Sequence, residues 1–202
     1  MEPISIEKYN DVDFNEMIEL VVTSFESKLC YRLRLKPNEI KDILQLTWNI
    51  RACDAGYLHY VAKMENEVVG VMLIQHGIIQ KEKKKVPIFP LFRRYGLFNI
   101  LFLIFKISIL EIYKPDGAYI EHIAVDASVR GRGIGEMLLA KGQEDLKRMG
   151  YSSLSLAVAK GNPAKHLYDR EGFQDIIYKK TPFQGYFIGV KEWIFMEKRL
   201  HE

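Results

Sequence analysis

The spacing of apolar positions along the chain changes several times, and each change marks an element. "ISIEKY" alternates and predicts a short strand at residues 4–9. Residues 13–29 follow with helical spacing through Phe14, Met17, Ile18, Val21, Val22 and Phe25. A second helix is expected from Pro37 to about Cys53, because proline suits a first turn whose N–H would be unpaired anyway. Alternation returns in "YLHYVAKM" and "EVVGVMLIQH", which Glu65 and Asn66 join as the tight turn of a hairpin.

The second half alternates strand and helix cleanly. "GAYIEHIAV" is almost continuously apolar and predicts a central strand covered on both faces. A helix follows from about Gly133, with Ile134, Leu138, Gly142, Leu146 and Met149 on one stripe, and Gly150 stands where a left-handed residue would end it. "YSSLSLAVA" is the next strand, with Leu154, Leu156 and Val158 on one face and Ser153, Ser155 and Ala157 on the other. Asn162 reads as an N-cap with Pro163 at the first helical position, and Gly172 closes that helix. Two last strands, at about 173–180 and 190–198, bracket an aromatic loop, "TPFQGYFIG".

Residues 77–116 break the pattern and read as an insertion: "KEKKK", then "FRRYG", then "LFNILFLIFKISIL". The last piece, Leu97–Leu110, is apolar at all but three positions. As a helix it would be about 21 Å long against about 30 Å for a bilayer core, so it cannot span. Two uses remain open. One is a buried or dimer-facing helix between strands; the other is an interfacial helix that makes peripheral contact with anionic lipid, led by a basic patch.

Composition narrows the class. A chain of 202 residues with 48% hydrophobic and 27% charged residues describes one folded domain, residues 1–202. A net charge of +3 with no basic helix or stripe argues against nucleic acid as a partner. The two cysteines, Cys30 and Cys53, have no metal-site spacing, and the five histidines form no HExxH pair, so no metal is expected. "MEPISIEKYN" lacks a basic head before an apolar stretch, and with so few cysteines a reducing, cytoplasmic setting is expected.

Candidate chemistry centres on "VRGRGIG", residues 129–135, between a strand and a helix start. First-turn amides lack intrahelical acceptors and the helix dipole adds positive charge there, so an anion is favoured. Glycine admits a phosphate oxygen close to those amides, and Arg130 and Arg132 add mobile charge. A Walker loop is excluded because Glu136 and Met137 follow Gly135. A dinucleotide fingerprint is disfavoured because Gly131, Gly133 and Gly135 are spaced by two throughout.

From here the chain resembles a known family. "IAVDASVRGRGIGEMLLAKGQEDLKRMGYSSLSLAVAKGNPAKHLYDREGF" is similar to the core of the GNAT (Gcn5-related) N-acetyltransferases. Arg130, Gly133 and Gly135 match its R-x-x-G-x-G pyrophosphate motif, and "NPAKHLYDREGF" its second signature, over about residues 118–174. The resemblance implies an α/β fold with a mixed, mostly antiparallel sheet splayed at two middle strands and helices on both faces. It implies acetyl-CoA as co-substrate. The pyrophosphate would rest on Arg130, Gly131, Arg132, Gly133, Ile134 and Gly135. The pantetheine arm would lie along Ile123, Ala124 and Val125 and near Asn162. Tyr168 matches the residue that in many members protonates the leaving thiolate.

Glu121 is the candidate for accepting the amine proton, through water. It lies two residues before Ile123, whose amide would by resemblance polarise the thioester carbonyl, and on a regular strand Tyr119, Glu121 and Ile123 share a face. His122 would then point away, unless a bulge exchanges the two. The acceptor site expected from the family falls on "SKLCYRLRLK" and "TPFQGYFIG", a basic loop and an aromatic wall, which suit an amine also bearing a carboxylate or an aromatic group. The expected activity is N-acetylation of a primary amine on a small molecule or peptide by direct attack in a ternary complex. Two other readings fit these residues: an acyl-CoA-binding regulatory module without catalysis, and a protein N-acetyltransferase held to a membrane surface or partner through 97–110.

Overall fold

A computed structural model describes residues 3–48, 54–77, 88–110 and 117–201. In chain order the elements are β1 (Ile4–Lys8), α1 (Phe14–Leu29), α2 (Pro37–Thr47), β2 (Tyr57–Met64), β3 (Glu67–Gln75), α3 (Ile88–Tyr95) and α4 (Leu97–Leu110). The second half holds β4 (Ala118–Val125), α5 (Ile134–Arg148), β5 (Ser153–Ala159), α6 (Lys165–Arg170), β6 (Gln174–Lys180), α7 (Pro182–Ile188) and β7 (Glu192–Arg199). The seven strands form one sheet in the order β1-β2-β3-β4-β5-β7-β6. Every neighbouring pair is antiparallel except β4 and β5, which run parallel.

Local chemistry explains most of these elements. Glu65 and Asn66 both adopt positive φ, 50° and 71°, the pair that lets a two-residue hairpin turn follow the twist of its strands. Pro37 opens α2, where the Glu39 carboxylate accepts the Lys36 N–H at 2.8 Å. Gly150, at φ 83°, closes α5. Alternation along the middle strands then divides the core. Tyr60, Ala62, Met72 and Ile74 pack with Ile134, Leu138 and Leu146 of α5, whereas Val61 and Val71 pack with Met17, Ile18 and Val21 of α1 and Ile40 of α2. A smaller cluster, Ile188, Trp193 and Phe195, seats α7 on the far half of the sheet.

Four expectations are corrected. α2 stops at Thr47, because Trp48 turns to an extended conformation (ψ 128°); residues 49–53, with Cys53, lie outside the described residues. The aromatic stretch 181–189 is a helix, α7, opened by Pro182 and closed by Gly189 at φ 78°. Residues 88–95 form a helix the spacing had not suggested, joined to α4 through Gly96 with a bend of 114°. Helix α6 begins at Lys165, later than Pro163: Asn162 Oδ1 accepts the Ala164 N–H at 3.0 Å and caps the turn leading into it. The run "KEKKK" also lies outside the described residues.

Candidate active site

The parallel pair β4–β5 is the opening in the sheet. Its register covers only Ala118↔Leu154, Tyr119↔Ser155 and Ile120↔Leu156. Beyond Ile120 and Leu156 the paired register ends, so the β5 side of residues 122–125 borders the gap.

At the same point β4 bulges. Leu73 pairs with His122 and Ile74 with Ile120, leaving Glu121 as the extra residue. Ala118 and Ile120 face the α5 side, and beyond the bulge Ile123 and Val125 pack on that same side. The parity of the strand therefore changes at Glu121, and the expectation that Tyr119, Glu121 and Ile123 share one face is overturned. An extra residue without a ladder partner rotates everything after it by one pleat. His122 turns toward α1, its ring 6.5 Å from Phe25 and 6.1 Å from His59.

A cavity of about 540 Å³ occupies the gap. β4 contributes Tyr119, Ile120, Glu121, His122 and Ile123, and β5 contributes Leu156, Ala157, Val158 and Ala159. Asn162, Ala164 and Tyr168 close one end; Phe25, Lys28, Trp48, Phe183 and Trp193 wall the other. Both sides of the acid–base chemistry expected from the sequence, Tyr168 and Glu121, thus open onto one space.

Tyr168 is only 6% exposed, and burial pushes its hydroxyl up to about 12. Its ring packs edge-on against Phe173 at 5.9 Å. The Tyr119 hydroxyl is also raised, first by burial, then by the charge of Glu121, against the opposing pull of a hydrogen bond from the Ala157 amide. Glu121 therefore acts at close range on the phenol beside the splay. His122 is held neutral by burial, lowered to about 4, and its Nε2 has no hydrogen-bond partner. His59 is lowered further, to about 3, first by burial and then by repulsion from the His122 ring when that ring is protonated.

The glycine loop lies beyond the end of β4. Gly131 and Gly133 adopt φ of 79° and 78°, and a Cβ on either would meet nothing within 4 Å. Their role is conformational: the chain reverses there at angles other residues avoid. Gly135 is different, since its Cβ would lie 2.8 Å from Leu167 Cδ2, and its bareness lets α5 pack against α6. The Met137 N–H is bonded to Gly133 O at 3.0 Å, so the first-turn amides before it point out of the helix end. Ile134 supplies backbone only, its side chain being core. Arg130 is exposed and donates from Nε to Val125 O at 3.0 Å, tying the loop to the strand it leaves; Arg132 is exposed beside Met64. Ala124 is buried on the α1 side, so only its main chain can meet a ligand in the gap.

Lys28, the first basic residue of the stretch expected to form a basic acceptor loop, lies instead in the last turn of α1. It continues the apolar stripe of Val21 and Phe25 on α1, and a lysine in line with such a stripe was the available signal. Its ammonium lies 5.2 Å from the Phe25 ring and 5.3 Å from Trp193, with no ion pair among the described residues, and burial lowers its pKa. Trp193, whose Nε1 has no hydrogen-bond partner, faces the same cavity from β7. Among the described residues no three His, Cys, Asp or Glu gather to hold a metal ion.

A mostly antiparallel sheet parted at one parallel pair, with a glycine loop following the parted strand β4, is the arrangement of the acetyltransferase fold. The family model described as "Acetyltransferase (GNAT) family" matches residues 15–173, and the chain belongs to that family. Its fold is similar to an N-acetyltransferase of Staphylococcus aureus Mu50 (17% identity, 98% of this chain and 99% of that one, TM-score 0.61). It is also similar to the ribosomal-protein-S18-alanine N-acetyltransferase of Escherichia coli (15% identity, 99% and 96%, TM-score 0.57). No curated protein matches the sequence.

Proposed function

We propose that this chain transfers the acetyl group of acetyl-CoA to a primary amine, of a small molecule or a peptide, by direct attack in a ternary complex. The observation that carries the reading is that Tyr168, Glu121 and the β4 residues beyond its register with β5 all line one cavity. The residues suit the co-substrate: the loop amides and Arg130 would take its pyrophosphate, and the 121–125 edge and Asn162 its amide-bearing arm. When bound, acetyl-CoA supplies an activated acyl group on a good leaving sulfur.

In this reading Glu121 accepts the proton of the amine through water, and the Ile123 amide donates to the carbonyl oxygen. Tyr168 keeps its proton at neutral pH and gives it up only as charge develops on the sulfur, in the same low-dielectric space. Lys28 between aromatic walls favours an acceptor that carries an anionic or aromatic group besides its amine. The setting is the cytoplasm expected from the cysteine content.

Release of free thiol from acetyl-CoA across a panel of amines tests this. Turnover with amines bearing a carboxylate or ring, and little with plain polyamines, is expected. Acetyl-CoA binding by calorimetry with no thiol release for any amine would favour a binding module and overturn the enzymatic reading.

A further inference from the structure

Helix α4 breaks the usual division of an amphipathic helix. Ile100, Leu103 and Ile109 are buried, and Lys106, 1% exposed, donates to the carbonyls of Leu29 at 2.9 Å and Tyr31 at 2.5 Å. That face is fixed to the body of the protein. The opposite face, where a helix in water carries polar residues, presents Leu97, Phe98, Leu101, Ile104 and Phe105 to solvent, with Phe98 86% exposed.

Neighbouring helices extend this stripe. Phe105 packs on Phe183 (6.0 Å) and Phe187 (4.9 Å) of α7, and Gln184 donates to Ile109 O at 2.9 Å. α3 adds Ile88 and Phe89, the latter 78% exposed, and α7 adds Phe183 and Tyr186. Nine of the 17 exposed large hydrophobic residues in the described chain therefore sit on three helices of 8, 14 and 7 residues. Isolated exposed leucines need no explanation, but such a concentration does.

Charge selects the occupant. Residues 77–116 hold eight Lys and Arg against three Asp and Glu, a net +5, while the other 162 residues carry −2. Arg93 and Arg94 are exposed at the end of α3. In the sequence Lys81, Lys83, Lys84 and Lys85 precede Ile88 by seven residues or fewer. Lys106 among these is buried on the inner face, and a second copy meeting the outer face through a twofold axis would set the remaining net +4 of one segment against that of the other. Among the described residues no single helix is long and apolar enough to cross a bilayer: α4 has 14 residues, and it meets α3 at a bend of 114°.

We propose that α3, α4 and α7 form a docking face for an anionic membrane surface, with the outer stripe at the depth of the acyl boundary and the basic residues among the headgroups. Phe183, 56% exposed on this face, also lines the cavity, so docking brings the acceptor end of the cavity beside the lipid. The proposal stands on the surface alone and does not require acetyl transfer.

Co-sedimentation of the full chain with vesicles tests it, using phosphatidylcholine alone and a mixture with phosphatidylglycerol. The wild type is expected to sediment with the anionic vesicles at low salt, at least about tenfold less with the neutral ones, and less at high salt. Phe98→Glu, and Phe89→Glu with Phe98→Glu, are expected to lose about tenfold or more while keeping the wild-type melting curve, since both side chains stand in solvent. Wild-type protein left in the supernatant with anionic vesicles at low salt would overturn the proposal. So would sedimentation of the variants equal to wild type, which would assign binding to charge alone. A wild-type dimer in analytical ultracentrifugation that Phe98→Glu dissociates would assign the face to a second copy instead.

Discussion

Helices α5 and α4 are nearly equal in length, 15 and 14 residues, yet they solve opposite problems. α5 buries Ile134, Leu138, Leu139 and Leu146, keeps Glu136 in its first turn and Lys147 and Arg148 in its last, and exposes one large apolar side chain, Met137. Its charges complement the helix dipole, and its N-terminus is free to hold an anion. α4 has no acidic residue in its first turn, no basic residue in its last, and apolar side chains on both faces. One helix is specified for water on its outer side; the other is specified for something less polar. The two regions are expected to fail separately: damage near α5 should remove chemistry, damage on α4 should remove location.

The largest expected effect lies beside α5. Tyr168→Phe should lower kcat by about 10²-fold or more, the range general acid catalysis supplies, with acetyl-CoA affinity and vesicle binding unchanged. Thiol-release kinetics measure it, and full turnover would remove Tyr168 as the acid. Next, Gly133→Val forces a β-branched residue to φ 78° and should weaken acetyl-CoA binding at least about tenfold by calorimetry. If it binds normally, the loop amides are not the anion site.

Stability sharpens the contrast further. Leu138→Ala, at a fully buried position on α5, should cost about 2–5 kcal/mol in urea unfolding. Phe98→Glu on α4 should leave the midpoint within error; a loss as large as that of Leu138→Ala would mean the outer stripe is core after all.

Acid should act through His59 and His122. Burial lowers both, to about 3 and about 4, below the usual value near 6.5, so the unfolded chain takes up protons first. Their contribution is complete above pH 6.5 and falls as pH drops toward 4, by about 1.4 kcal/mol per pH unit for each histidine. His59→Phe should flatten this dependence, read from urea midpoints at several pH values; an unchanged slope would exclude His59 as a source.

The smallest effect concerns the acceptor. Lys28→Met keeps the stem between Phe25 and Trp193 and removes the charge, so KM should rise severalfold for amines bearing a carboxylate and stay level for neutral aromatic ones, with kcat held. Equal rises for both would give Lys28 a packing role only.

Much of this was legible in the residues. The hairpin at Glu65 and Asn66, the stripe of α5, the helix end at Gly150 and the Arg130–Gly135 loop all depend on neighbours within a few positions, and short-range sterics and spacing encode such features directly. Tyr168 and Asn162 were readable because they stand at fixed intervals in one stretch of chain. The helix at 182–188 was missed because its aromatic run has no clear period and includes Gly185, although Pro182 at its first turn was in view.

What the linear order could not contain is how distant segments meet. The bulge at Glu121 depends on how β3 pairs with β4, since the extra residue exists only relative to a partner strand, and it decides which way His122 and Ile123 turn relative to Tyr119. The convergence of Lys28 on Trp193 joins α1 to β7 across the whole chain. The same holds for α4: its sequence fixed that it would be apolar all round, but only packing against α1 and α7 decided which half is buried and which half meets solvent. Periodicity assigns a residue to a face of its own element, whereas what that face meets is set by contacts between elements.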